Sequence, residues 1–233
     1  MLILLATLIL GLQSSNCLAE TEAQSVDVEA IREKYWTPGS STEMNVVQDR
    51  LYSKEHKIEI GGFASAVASD PFLSMGTLGG SIGYHFSEYF SAHFVAMRYL
   101  VSPSSALVTF QETRGATTNT NDPHSFYGSE ASASILYGKL SLLGKAIIYY
   151  DLHLLGGLGS TSTETGSYLT PLAGIGQQIH LSHLFSLKVD YRLMPFHEQI
   201  VEKVIPTKLG QVVGERWNWT NSISVGVAMM FGG

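Results

Sequence analysis

The most constraining feature of this chain is an alternation of apolar and small polar side chains that recurs from about residue 57 to residue 231. Along Thr77 to Phe86, Leu78, Gly80, Ile82, Tyr84 and Phe86 point one way, and Thr77, Gly79, Ser81, Gly83 and His85 point the other. Phe185, Leu187, Val189, Tyr191 and Leu193 likewise share a face opposite Ser186, Lys188, Asp190, Arg192 and Met194. Near the end, Trp219, Ile223, Val225, Val227, Met229 and Phe231 line one side, with Asn221 as its polar member. Thr220, Ser222, Ser224, Gly226, Ala228 and Met230 line the other. A helix cannot present this period; a half-apolar strand must.

Eight such segments can be placed, at about 57–68, 75–86, 89–101, 125–137, 144–158, 167–181, 184–195 and 218–231. The connections 87–88, 138–143 and 182–183 are short. The stretches 102–124, 159–166 and 196–217 are longer and polar, and 69–74 is the exception. An even number of strands with short turns at one end and long loops at the other is the habit of outer-membrane barrels. The expected fold is therefore all-β, an eight-stranded antiparallel up-and-down transmembrane β-barrel over residues 56–231. No stretch in this region is apolar for long enough to make a transmembrane helix.

Alternation alone also fits a soluble barrel with its apolar face inside. The polar face decides between them, because it is built of Gly, Ser, Thr and Ala with few charges. By parity those charges are Glu59, Glu130, Lys145, Asp151, Lys188, Asp190 and Arg192, a nearly balanced set that can pair inside a narrow lumen; the parity of Arg98 is ambiguous. Within the strands the apolar face carries almost no charge, as lipid demands, since a cation at mid-depth costs roughly 2–4 kcal/mol. Aromatics gather near the expected strand ends as an interfacial girdle: Tyr84, Phe86, Tyr89, Phe90, Phe126, Tyr127, Tyr137, Phe185, Trp217, Trp219 and Phe231. Charged residues are only 15% of the chain, against roughly 25% in soluble domains. The net charge of −6 argues against a nucleic-acid partner.

Residues 1–19 read as an export signal, with cleavage after Ala19; lipidation at Cys17, the only cysteine, is the lesser alternative. Residues 20–55 form a charged, periplasmic N-terminal segment with two short helical patterns separated by Pro38-Gly39. This segment either packs on the barrel rim or docks a periplasmic envelope protein.

Several motifs carry a family resemblance: residues 46–52 (Val46-Val47-Gln48-Asp49-Arg50-Leu51-Tyr52), Asp70-Pro71-Phe72, residues 79–88 (Gly79-Gly80-Ser81-Ile82-Gly83-Tyr84-His85-Phe86-Ser87-Glu88), Tyr137-Gly138-Lys139-Leu140 and Gly174-Ile175-Gly176-Gln177-Gln178. Over about residues 26–231 the chain resembles the small outer-membrane β-barrel domain proteins of predatory and gliding bacteria, barrels of the OmpA/OmpX kind. The resemblance implies an eight-stranded barrel in the outer membrane, and some similar barrels belong to gliding-motility machinery.

On these grounds the expected function is a non-enzymatic structural or interaction barrel in contact with outer-membrane lipids, its lumen plugged by side chains and without cofactor. A narrow pore is the alternative, disfavoured because eight strands enclose little more than side chains. A membrane-embedded lipid hydrolase is a remote third. It would need a His–Ser pair, for which His180/Ser182 and His85/Ser87 are the candidates, or a relay through Asp151 and His153. No metal site is expected, because none of the eight histidines has a ligand partner at helical or hairpin spacing, and His197-Glu198 reads as a solvated loop.

Overall fold

The computed structural model describes residues 51–142 and 146–232. The expected export signal, Cys17 and the leader up to residue 50 lie outside these residues, as does Lys145. Eight antiparallel strands close into a barrel in sequence order. They are β1 (Ile58–Ala68), β2 (Leu73–His85), β3 (Phe90–Pro103), β4 (Pro123–Leu142), β5 (Ala146–Thr163), β6 (Gly166–His180), β7 (Phe185–Val201) and β8 (Val212–Phe231). Closure is made by β1 on β8, with Ile58 opposite Phe231 and Ala68 opposite Asn221. A closed ring leaves no sheet edge unpaired.

The two ends differ. At the turn end, β2–β3 and β6–β7 are joined tightly. Ser87 Oγ accepts the Tyr89 and Phe90 amides, and Ser182 Oγ accepts those of Leu184 and Phe185. At the loop end, β3 leads into α1 (Ser105–Arg114), capped by Ser104 and ended by Gly115 in the left-handed region. Two stretches expected as loops are largely strand. Residues 159–166 form a tight hairpin in which Thr163 pairs with Gly166, and β7 and β8 continue pairing out to Val201 and Val212. Ser and Thr occupy both faces from Ser160 to Thr165, so no apolar alternation marks that hairpin in the sequence.

The parity of β2, β7 and β8 is as the sequence predicts. Leu78, Ile82, Val189, Tyr191, Ile223, Val225 and Val227 are exposed on the outer wall, whereas Thr77, Ser186, Arg192, Thr220, Ser224 and Ala228 are buried in the lumen. Asn221, the polar member of its outward row, is satisfied on that wall by the Tyr191 hydroxyl at 2.7 Å. One break in parity lies in β4. A bulge between Ser134 and Leu136 leaves Ile135 and Leu136 both exposed. The extra residue reverses the faces beyond it.

Above the middle of the barrel, toward the loop end, the lumen is apolar. Phe126, Met97, Tyr99, Met75, Leu172 and Met194 form a packed cluster that Phe63 and Val101 extend. Phe126 is wholly buried. Its ring needs the bare backbone of Gly128 and Gly159, where an added Cβ would lie 2.7 Å and 2.4 Å from ring carbons.

Candidate functional site

The site is the polar part of the lumen. Six of the seven charged residues expected there are described, and all six line it. Glu59 on β1 is fully buried and accepts from Lys188 Nζ at 2.8 Å, from Gln178 Nε2 at 3.1 Å and from His85 Nε2 at 3.1 Å. Arg192 donates to Glu130 through Nε and Nη2, both at 3.0 Å. It also reaches Asp190 at 3.1 Å and Ser224 at 2.9 Å, and its guanidinium stands 5.5 Å from the centre of the Phe63 ring. His153 Nε2 meets Asp190 Oδ1 at 3.1 Å. These groups come from β1, β2, β4, β5, β6, β7 and β8, so the network also ties strands that share no backbone hydrogen bonds. A cavity of about 10 Å³, roughly the space of one water, lies beside Gly61, Lys188, Asp190 and Arg192.

At the turn end, residues before β1 enter the barrel mouth. Lys54 is buried and donates to Asp151 at 2.6 Å, which Ser134 also contacts. The backbone amides of Lys54 and Glu55 bind the Glu88 carboxylate. The Tyr52 ring stacks on His180 at 5.5 Å and meets Tyr149 and His183. Residues 52–55, expected as part of the leader, therefore belong to the barrel's own packing. Lys54 was not legible as a lumen group because it precedes the alternating region.

A second ionic layer lies at the loop end. Arg216 donates to Glu198 at 2.6 Å and to Asp70 at 2.7 Å. Glu198 also accepts from Asn121 at 2.7 Å and from Asn218 at 3.1 Å. The expectation that His197-Glu198 is solvated loop is wrong for Glu198, which is fully buried. The signal was present, since Glu198 continues the inward row of Lys188, Asp190, Arg192, Met194 and Phe196.

The aromatics expected in a girdle divide by position. Tyr84, Phe86, Tyr89, Phe90, Phe185 and Phe231 are exposed around the turn end, and Tyr127, Trp217 and Trp219 toward the loop end. Two members are corrected. Phe126 fills the lumen. Tyr137 pairs with the inward-facing Asp151 and stacks on Tyr149, because the β4 bulge turns it from the outer wall to the mouth. Arg98 is exposed on the outer wall, in a groove of about 470 Å³ that it shares with Leu78, Ala96, His124 and Tyr127.

The hydrolase candidates are otherwise engaged. Ser87 and Ser182 cap their turns, His85 binds Glu59, and His180 stacks on Tyr52. Asp151 accepts from Lys54, and His153 meets Asp190. Across three strands, one ligand atom each from Glu59, His85 and His93 lies within 4.8 Å of the others, a juxtaposition that helical or hairpin spacing along the chain does not display.

No protein-family model and no curated protein matches the chain. Among solved structures it is similar to the outer membrane protein OprG of Pseudomonas aeruginosa, with 12% identity, a TM-score of 0.44 and coverage of 79% of this chain and 100% of that one. The N-terminal β-barrel domain of Pseudomonas aeruginosa OprF gives 12% identity and a TM-score of 0.39 over 76% and 98% of the two chains. The attachment invasion locus protein Ail of Yersinia pestis gives 16% and 0.37 over 76% and 99%.

Proposed function

We propose that this chain is a non-enzymatic outer-membrane barrel whose interior is a rigid side-chain plug and whose loop end serves interaction. One observation carries the reading: the hydrophobic surface is turned inside out. Leu158 and Leu169 are 59% and 73% exposed on the outer wall, while Glu59, Asp151 and Glu198 are 0% exposed in the lumen. A water-soluble protein rarely shows an apolar patch beyond a few hundred Å², and this one spans all eight strands. Lipid supplies the missing apolar partner, and the closed ladder satisfies every strand as hydrocarbon requires.

The stacked layers support the plug. Wholly buried Phe126, Met194 and Phe196 lie between the two ionic networks and support a closed lumen. The resemblance to barrels of predatory and gliding bacteria supports membership of an envelope assembly, with residues 20–50 as the attachment segment. Two measurements test the reading. The protein is expected in the outer-membrane fraction, extractable only by detergent, and silent in planar bilayers. A folded monomer in the soluble periplasmic fraction would end the membrane reading, and a steady single-channel conductance would end the plug.

A further inference from the structure

We propose that Glu59, His85 and His93 form a lumenal site for one divalent transition-metal ion of the zinc or cobalt class. The three residues come from adjacent strands whose register brings them together. Glu59 on β1 is opposite Gly83 on β2, and Gly83 is opposite His93 on β3. His85 lies two residues along β2, on the same face. An added Cβ at Gly83 would stand 2.2 Å from His93 Nδ1, so glycine there lets the imidazole lie across the strand toward Glu59.

His93 is the informative member. It is only 4% exposed, and its Nδ1 is buried without a hydrogen-bond partner. A buried polar atom left unsatisfied is uncommon and calls for an explanation. Its other nitrogen, Nε2, lies 2.8 Å from Ser91 Oγ. A proton held on Nε2 by that hydroxyl leaves the Nδ1 lone pair free, aimed at Glu59 Oε1 3.8 Å away. Fixing the tautomer from the far nitrogen is how metal-binding histidines are commonly oriented.

The spacing fits a small ion. Ligands about 2.0–2.1 Å from a tetrahedral centre lie about 3.3 Å apart. His85 Nε2 lies 3.1 Å from Glu59 Oε2 and His93 Nδ1 3.8 Å from Glu59 Oε1, and one ligand atom from each residue falls within 4.8 Å of the others, so shifts of about an ångström gather the three on one ion. Two imidazoles and one carboxylate are a donor set for zinc-like ions, with water in the fourth position. Lys188 Nζ holds Glu59 Oε1 and Gln178 Nε2 holds Oε2, and each oxygen keeps a second lone pair for the ion. His85 Nε2 presents its lone pair to the ion once its proton moves to Nδ1.

The test uses the full chain, folded in detergent and exposed to Co(II) or Zn(II), with excess metal removed. One retained ion per chain, with the visible absorption of low-coordinate cobalt, is expected. His93→Gln and His85→Gln are each expected to weaken binding by more than about tenfold, and His124→Gln, on the outer wall, to leave it unchanged. If His93→Gln does not fold, the zinc-edge X-ray absorption of the wild-type protein decides, and two imidazole ligands are expected. No retained ion, equal retention by folded His93→Gln, or an edge spectrum with fewer than two imidazoles would overturn the site.

Discussion

Arg192 on β7 and Glu130 on β4 are joined across the lumen by two hydrogen bonds of 3.0 Å each, although their strands are not neighbours in the sheet. The fork of a guanidinium on a carboxylate fixes direction as well as distance. Because both groups are buried, removing one leaves the other charged and unpaired. Arg192→Ala is expected to destabilise the barrel by about 3–5 kcal/mol, read from urea unfolding in lipid vesicles. Replacing the pair with Met and Leu together is expected to recover most of that loss. A double variant as unstable as the single one would show that packing around Arg192, including its stack on Phe63, dominates.

Phe126 tests the apolar layer. Phe126→Ala is expected to cost about 3–5 kcal/mol through the cavity it leaves, and Gly159→Ala to destabilise by forcing the ring from its seat. Both are read by thermal unfolding of the detergent-solubilised protein. A Gly159→Ala variant with unchanged melting would mean that the ring does not rest on that backbone.

Depth along the outer wall makes a third prediction. Val225 is opposite Ala64, near the middle of β1, whereas Arg98 lies eight residues above the start of β3 at Phe90. A tilted strand rises roughly 2.6 Å per residue, so Arg98 is about 20 Å up a lipid band about 25 Å tall. Val225→Arg is expected to cost roughly 2–4 kcal/mol, and Arg98→Leu to change stability by less than about 1 kcal/mol. Unfolding free energies in vesicles check the pair, and equal effects would contradict this depth assignment.

The loop between β7 and β8 carries a pH dependence. Glu202 accepts the amides of Val204 at 2.9 Å and Ile205 at 3.1 Å, and these donors hold its carboxyl below its ordinary value of 4.5. A depressed folded value means that the contribution is present above the unfolded value and is lost as pH falls through the folded one. Amide exchange at Val204 and Ile205 is expected to be protected at neutral pH and to lose its protection as pH falls below the ordinary carboxylate range. Glu202→Gln is expected to remove that pH dependence.

How much of this was written in the sequence depends on whether period two survives locally. β2, β7 and β8 keep it without interruption, so the burial of Arg192 and Asp190 and the exposure of Val225 could be read directly. Tyr137 could not, because the bulge at Ser134 and Leu136 has no marker such as Gly or Pro to announce it. Phe126 misled because an aromatic near a strand end serves a girdle or a plug equally well. Cross-strand register was invisible as well. Parity put Glu59 and His85 on the polar face, but only the pairing of Glu59 and His93 with Gly83 brings the three residues together.

Lipid contact along β8 tests the central claim most directly. Single cysteines placed in turn at residues 219–229, in a Cys17→Ser background, would carry a fluorophore in vesicles and be challenged with a lipid-soluble quencher. Strong quenching at 219, 221, 223, 225, 227 and 229, and weak quenching at the even positions between them, is the expected result. Uniform quenching, or odd positions reached more readily by a water-soluble quencher than by the lipid-soluble one, would contradict an apolar wall facing lipid.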